Sequence, residues 1–159
     1  MQDLAVLIAI EDPSAADIVE LLEEHLQDMN AESPPESVHA LDVERLRAAH
    51  ITFVAARDES GVLLGIGALA ELDASHGELK SMRTSRVARG QGVASAVLSR
   101  LLTIARERGY ARVSLETGSQ EYFATAHRLY ARNGFTECGP FGDYVPDPNS
   151  RFFTLDLAG

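Results

Sequence analysis

Sulfur, tryptophan and positive charge are all scarce in this chain, and several absences limit what it can be. Cys138 is the only cysteine among 159 residues, which excludes an internal disulfide and suits a reducing compartment. No apolar run approaches the roughly twenty residues needed to span a bilayer, so no membrane partner is expected. The N-terminus reaches Asp3 and Glu11 without a basic stretch or a long apolar core, so it does not read as a signal peptide. Cytoplasmic localisation is the resulting expectation. The five histidines show no metal-ligand spacing, and no metal is expected. A Gly-Lys-Ser/Thr triplet is missing, which rules out a mononucleotide-binding loop of that type. Internal repeats and low-complexity tracts are absent.

What is present describes an ordinary globular protein, with 45% hydrophobic residues and mixed charges. A chain of this length is expected to fold as one domain, residues 1–159, with a core large enough to stand without disulfides. Acids outnumber bases 24 to 14, for a net charge of −10. The imbalance is uneven. From Lys80 to Arg112 there are eight bases and one acid, Glu107, whereas residues 1–79 carry −14. A local basic island in an acidic protein fits a small polyanion better than nucleic acid, which calls for a broad basic face.

Hydrophobic periodicity gives a mixed α/β order. Leu4 to Ile10 reads as a strand. Asp12-Pro13-Ser14 then starts a helix whose buried stripe is Ala15, Ile18, Leu22, Leu26 and Met29, with Glu20, Glu23, Glu24 and Asp28 left to solvent. Ser33-Pro34-Pro35-Glu36-Ser37 interrupts regular structure. A short helix over Val43–Ala49 comes next. Ile51–Arg57 and Val62–Leu72 form a hairpin around Asp58-Glu59-Ser60-Gly61. A further strand, Glu78–Met82, comes after Gly77. A long helix is then expected, with Val93, Val97, Leu101, Ile104 and Ala105 inward and Gly109 past its end. Ala111–Thr117 is a strand parallel to Glu78–Met82. A second helix from Tyr122 to Asn133 and closing strands at Phe135–Cys138 and Phe152–Leu157 complete the chain.

Arg89, Gly90, Gln91, Gly92, Val93 and Ala94 make a glycine-bearing turn at a helix start. Such a turn offers backbone N–H groups at the positive end of a helix dipole, and the missing side chains let a pyrophosphate approach. The turn resembles the acyl-CoA pyrophosphate loop, Arg/Gln-x-x-Gly-x-Gly/Ala, of the Gcn5-related N-acetyltransferase (GNAT) superfamily, with Arg89, Gly92 and Ala94 in its places. About forty residues on, Ala126-His127-Arg128-Leu129-Tyr130-Ala131-Arg132-Asn133-Gly134-Phe135 resembles the superfamily's Ala-x-x-Leu-Tyr-x-x-x-Gly-Phe motif. Residues Ser33 to Asp42 and Cys138 to Tyr144 are similar to a YsnE-like bacterial subfamily. The chain departs from the superfamily at Arg86, where proline is usual, and at Phe123, where an asparagine often contacts the cofactor.

The resemblance implies a GNAT fold, a mixed central β-sheet flanked by α-helices, and an N-acetyltransferase that uses acetyl-CoA as co-substrate. It implies backbone N–H groups near Met82, Arg83 and Thr84 for the acetyl carbonyl, with Phe123 at the cofactor. Transfer to an amine needs a base for its proton and an acid for the leaving thiolate. Glu78 is the expected base, with Glu116, at the end of the next strand, as the other candidate; a partnership with Lys80 is the bland alternative for Glu78. Tyr130 is the expected acid, against a plain packing role. Ser33, His39, Lys80, Glu116 and Tyr144 are the expected acceptor contacts; Arg83 and Lys80 suit an acidic group on the acceptor, with solvated charge or a cofactor phosphate contact as equal alternatives for each. Cys138 reads as buried filler.

The acceptor expected is a small-molecule amine or amino acid, and a homodimer is left open. Three other readings compete. Gly90-Gln91-Gly92-Val93-Ala94-Ser95 echoes a dinucleotide fingerprint, yet Ser95 stands for its third glycine and the order of elements is wrong. A non-catalytic acyl-CoA sensor would not need Glu78 and Tyr130. A protein lysine or N-terminal acetyltransferase suits the acidic N-terminal region, but the Pro-rich segment favours a narrower cleft.

Overall fold

The computed structural model describes residues 5–32 and 43–157. Within them seven strands form one sheet: β1 (Leu7–Ile10), β2 (Ile51–Arg57), β3 (Leu63–Asp73), β4 (His76–Thr84), β5 (Arg112–Gly118), β6 (Thr136–Cys138) and β7 (Ser150–Asp156). Their spatial order is β1-β2-β3-β4-β5-β7-β6. Every neighbouring pair is antiparallel except β4 with β5, the pair that the strand–helix–strand order predicts to be parallel. Helices α1 (Ala16–Glu32), α2 (Val43–Leu46), α3 (Val93–Glu107) and α4 (Ala124–Arg132) flank the sheet. Among the described residues no helix is long and apolar enough to cross a membrane, and no group of three or more metal-binding side chains occurs.

Two cores arise from strand alternation. Ile18, Leu21 and Leu22 of α1 and Leu46 of α2 cover Phe53, Ala55, Ile66 and Ala68 on one face. On the other, Val93, Val97, Leu98, Leu101 and Ala105 of α3 and Leu129 and Tyr130 of α4 pack on Val54, Leu69, Leu79, Val113 and Leu115. Gly109 has φ 79° just beyond α3, as expected of a glycine that ends a helix.

The sequence expectations need several corrections. Leu26, assigned to the buried stripe of α1, is exposed. Glu24 and Asp28, assigned to solvent, reach across to Arg83 on β4. The inward stripe runs Ile18, Leu21, Leu22, His25 and Met29, and a half-buried histidine replaces the leucine in it. The strand expected from Glu78 to Met82 is β4, which starts at His76 and not after Gly77. A side chain at Gly77 would crowd Leu69 and the Tyr110 ring, so this glycine is a packing residue inside the strand. Tyr122 belongs to a 3₁₀ turn, Glu121–Phe123, ahead of α4.

Two irregularities in β4 break the regular sheet. It pairs with β5 only from His76 to Leu79, opposite Arg112 to Leu115, although both strands continue. Beyond Leu79 the sheet is therefore split. Opposite Gly67, β4 carries an extra residue, and Ser81 there is the only non-glycine with positive φ (55°) among the described residues. This bulge turns Met82 toward α3. A side chain on Gly67 would lie 2.7 Å from the Met82 sulfur and 2.7 Å from Val97, so only glycine admits the methionine there.

Candidate active site

A cleft of ≈ 500 Å³ opens where the sheet splits. Its lining comes from both faces. His25, Met29, Ile66 and Arg83 belong to the α1 side, and Met82, Val97, Leu129 and Tyr130 to the α3 and α4 side. The split between β4 and β5 thus makes one passage through the sheet, with Arg89, Gly90, Gly92, Val93, Ala94 and Ser95 at its rim.

The rim is built for an anion. Gly90 and Gly92 have φ of 78° and 81°, conformations that side chains strongly disfavour. A Cβ built on either meets nothing within 4 Å, so the space beside the turn is open. Gly92 is the N-cap of α3 and has no side chain to satisfy the first-turn N–H groups. Donors at the positive end of a fifteen-residue helix therefore face open space beside Arg89. These features fit the pyrophosphate of an acyl-CoA. Gln91 does not line the cleft; its side chain turns back to the Val87 carbonyl at 3.4 Å.

Inside, β4 offers backbone donors. The Ser85 N–H bonds to Leu64 O on β3 at 2.8 Å, so alternation turns the N–H groups of Thr84 and Met82 away from β3, toward the split. Tyr130 lines the same space and is only 5% exposed. Its ring packs edge-on against Phe135, and burial raises its pKa, so the phenol keeps its proton. No hydrogen bond joins its hydroxyl to another described residue.

A second group lies on the α1 face at the base of the split. Glu78 is buried and accepts a hydrogen bond from the Tyr144 hydroxyl at 2.6 Å. Lys80 Nζ lies 3.2 Å from the same carboxylate and 3.3 Å from the Tyr144 oxygen. Burial and the Glu78 charge push the Tyr144 pKa far up. Glu116 accepts from Ser150 at 2.7 Å. None of these four residues is in the cleft lining, so the expected site residues divide into a cleft group and a group beside it. Ser33 and His39 lie outside the described residues.

The acetyltransferase (GNAT) family model matches residues 18–135. This chain belongs to the GNAT acetyltransferase family. It is 51% identical over 150 residues to the N-acetyltransferase YsnE of Bacillus subtilis, covering 94% of this chain and 99% of that protein. It is 40% identical to a protein named IAA acetyltransferase of Azospirillum brasilense, over 96% of this chain and 98% of that one. In fold it is similar to a GNAT acetyltransferase of Staphylococcus aureus (TM-score 0.74, 20% identity, 96% and 99% covered).

Against the GNAT pattern, both departures have structural consequences here. Arg86, in the place of proline, pairs with Asp28 at 3.2 Å and so ties the segment before the loop to α1. Phe123 lines the cleft and lies flat on Gly118, where any side chain would overlap its ring. It lines the cleft with an aromatic ring where the family often has an amide. Sequence reading missed His25, Met29, Ile66 and Tyr122. For the first two the signal was present, since 18, 22, 25 and 29 obey the helical repeat.

Proposed function

We propose that this GNAT enzyme transfers the acetyl group of acetyl-CoA directly to the amine of a small molecule or amino acid, in the cytoplasm. The observation that carries the reading is the passage through the split sheet, with the anion-binding rim on one side and α1 on the other. A volume of ≈ 500 Å³ with largely apolar walls falls in the small-molecule range.

Acetyl-CoA, when bound, supplies an acetyl thioester. Arg89 and the backbone of Gly90 to Ala94 hold its pyrophosphate, and Phe123 packs against it. The Met82 and Thr84 N–H groups, fixed by the bulge at Ser81, stand ready for charge that develops on a carbonyl oxygen. Tyr130 Oη holds a proton for the departing sulfur. Glu78 is the base we assign in preference to Glu116. It belongs to β4, the strand that continues into the cleft, whereas Glu116 is tied by Ser150 toward β7. Lys80 and Tyr144 keep the Glu78 carboxylate oriented.

Thiol release from acetyl-CoA, monitored across a panel of small amines, amino acids and lysine-rich peptides, tests this function. Turnover of small amines is expected. Acetylation of folded proteins or peptides with none of small amines would overturn the acceptor class, and cofactor binding without release on any acceptor would overturn catalysis.

A further inference from the structure

Buried polar atoms in folded proteins nearly always have partners, so exceptions at a cleft wall are informative. Three buried side-chain atoms among the described residues have none: His25 Nδ1, Arg83 Nε and Ser85 Oγ. His25 and Arg83 both line the cleft, on its α1 side. The rest of the Arg83 guanidinium is committed. One terminal nitrogen donates to the Tyr122 hydroxyl at 3.0 Å and the other to Glu24 at 2.6 Å and Asp28 at 2.5 Å. Of its three nitrogens, Nε alone has no partner among the described residues.

Burial and the neighbouring Arg83 charge depress the His25 pKa to about 4, so its ring is neutral and Nδ1 carries a proton in one of two tautomers. The charges beside it are balanced, because Arg83 and Arg86 pair with Glu24 and Asp28. A ligand group suited to this wall therefore needs lone pairs but not a full charge. Met29 and Ile66 provide apolar surface beside the two orphan groups.

Resting on the acceptor class proposed above, we infer that His25 Nδ1 and Arg83 Nε bind a carbonyl-type oxygen of the acceptor, which is an amine bearing a carboxyl or carboxamide group. Such an oxygen accepts from both donors, and the acceptor's apolar side chain rests on Met29 and Ile66. His25 and Arg83 set specificity in this arrangement; the proton transfers belong to other residues.

The test compares kcat/KM for matched acceptors: leucine, leucinamide and isoamylamine, then phenylalanine, phenylalaninamide and phenethylamine. The acid, the amide or both are expected to exceed the bare amine by about tenfold or more, the worth of a hydrogen bond in a desolvated site. Whichever leads identifies the source of the oxygen. His25→Ala is expected to abolish the preference mainly through KM. His25→Asn, which returns an amide near the Nδ1 position, is expected to restore part of it. Acetyl-CoA affinity and unfolding temperature, measured on each variant, check that the fold survives. Equal use of all three compounds by the wild type, or an unchanged preference in His25→Ala, overturns the inference while leaving acetyl transfer in place. If no compound turns over, calorimetry of the same six against the CoA-bound enzyme separates the two claims. Binding of acid or amide that is lost in His25→Ala keeps the oxygen site and overturns transfer; absence of binding overturns the site.

Discussion

A phenol such as Tyr130, whose residue is 5% exposed and whose hydroxyl bonds to no other described residue, holds its proton well above neutral pH for the cleft it lines. The residues around it can be tested one atom at a time. Gly92→Val places a branched side chain at φ 81° and fills the open side of the turn. Calorimetry should show acetyl-CoA affinity falling at least about tenfold, with the fold retained, because the cost falls on anion approach and one strained turn. Glu78→Gln keeps the shape of the group under Tyr144 but cannot take a proton. Its turnover should drop at neutral pH and recover in part as pH rises toward the amine pKa of about 10, because free amine then needs no base. A pH–rate profile parallel to that of the wild type would remove Glu78 from the proton path. His25 affects stability as well as specificity. With a folded pKa of about 4 against an ordinary 6.5, only the unfolded chain takes up its proton between those values. The contribution of His25 therefore weakens the fold as pH drops through that window. Unfolding temperature should fall more steeply from pH 6.5 to 4 in the wild type than in His25→Asn.

At the scale of elements, Arg83 joins α1, β4 and the 3₁₀ turn before α4 through Glu24, Asp28 and Tyr122. Its side chain is nearly buried, whereas that of Arg86, which shares the same acids, is 60% exposed. Arg83→Met should therefore cost about 3 kcal/mol in urea unfolding, the scale for stranding partners of a buried pair. Arg86→Ala should cost less than about 1 kcal/mol. Equal effects would mean that α1 is held by its apolar stripe alone. The contrast also explains what could be read from the chain. β2, β3, α3 and β5 were legible because apolar period, turn residues and glycine caps agree along them. The ties of α1 to β4 were not. Glu24 and Asp28 look like solvent-facing acids until a partner 55 or more residues away is brought beside them. The bulge at Ser81 leaves no mark in the sequence, since it arises from close packing of Met82 on Gly67.

For the whole molecule, the basic run from Lys80 to Arg112 pointed toward a polyanion, yet only part of it serves the cleft. Lys80 is taken up by Glu78, Arg86 by the acids of α1, and of the eight bases Arg83 and Arg89 alone line the cleft. The glycine turn lies at the cleft rim, whereas most of the charge run does not, because what the turn encodes is local. The α1 side of the cleft depends on α1, β3 and β4 meeting at the split sheet, which no single stretch of sequence encodes. The cleft's two sides meet beside Tyr130, and the central claim is that acetyl transfer takes place there. Single-turnover cleavage of acetyl-CoA by Tyr130→Phe, at saturating amine, tests that claim with product release removed from the rate. The substitution deletes one oxygen and little volume, so cofactor affinity should stay within a few-fold while the rate falls by roughly 10²–10⁴. A variant that cleaves at the wild-type rate would make Tyr130 a packing residue and place the chemistry elsewhere.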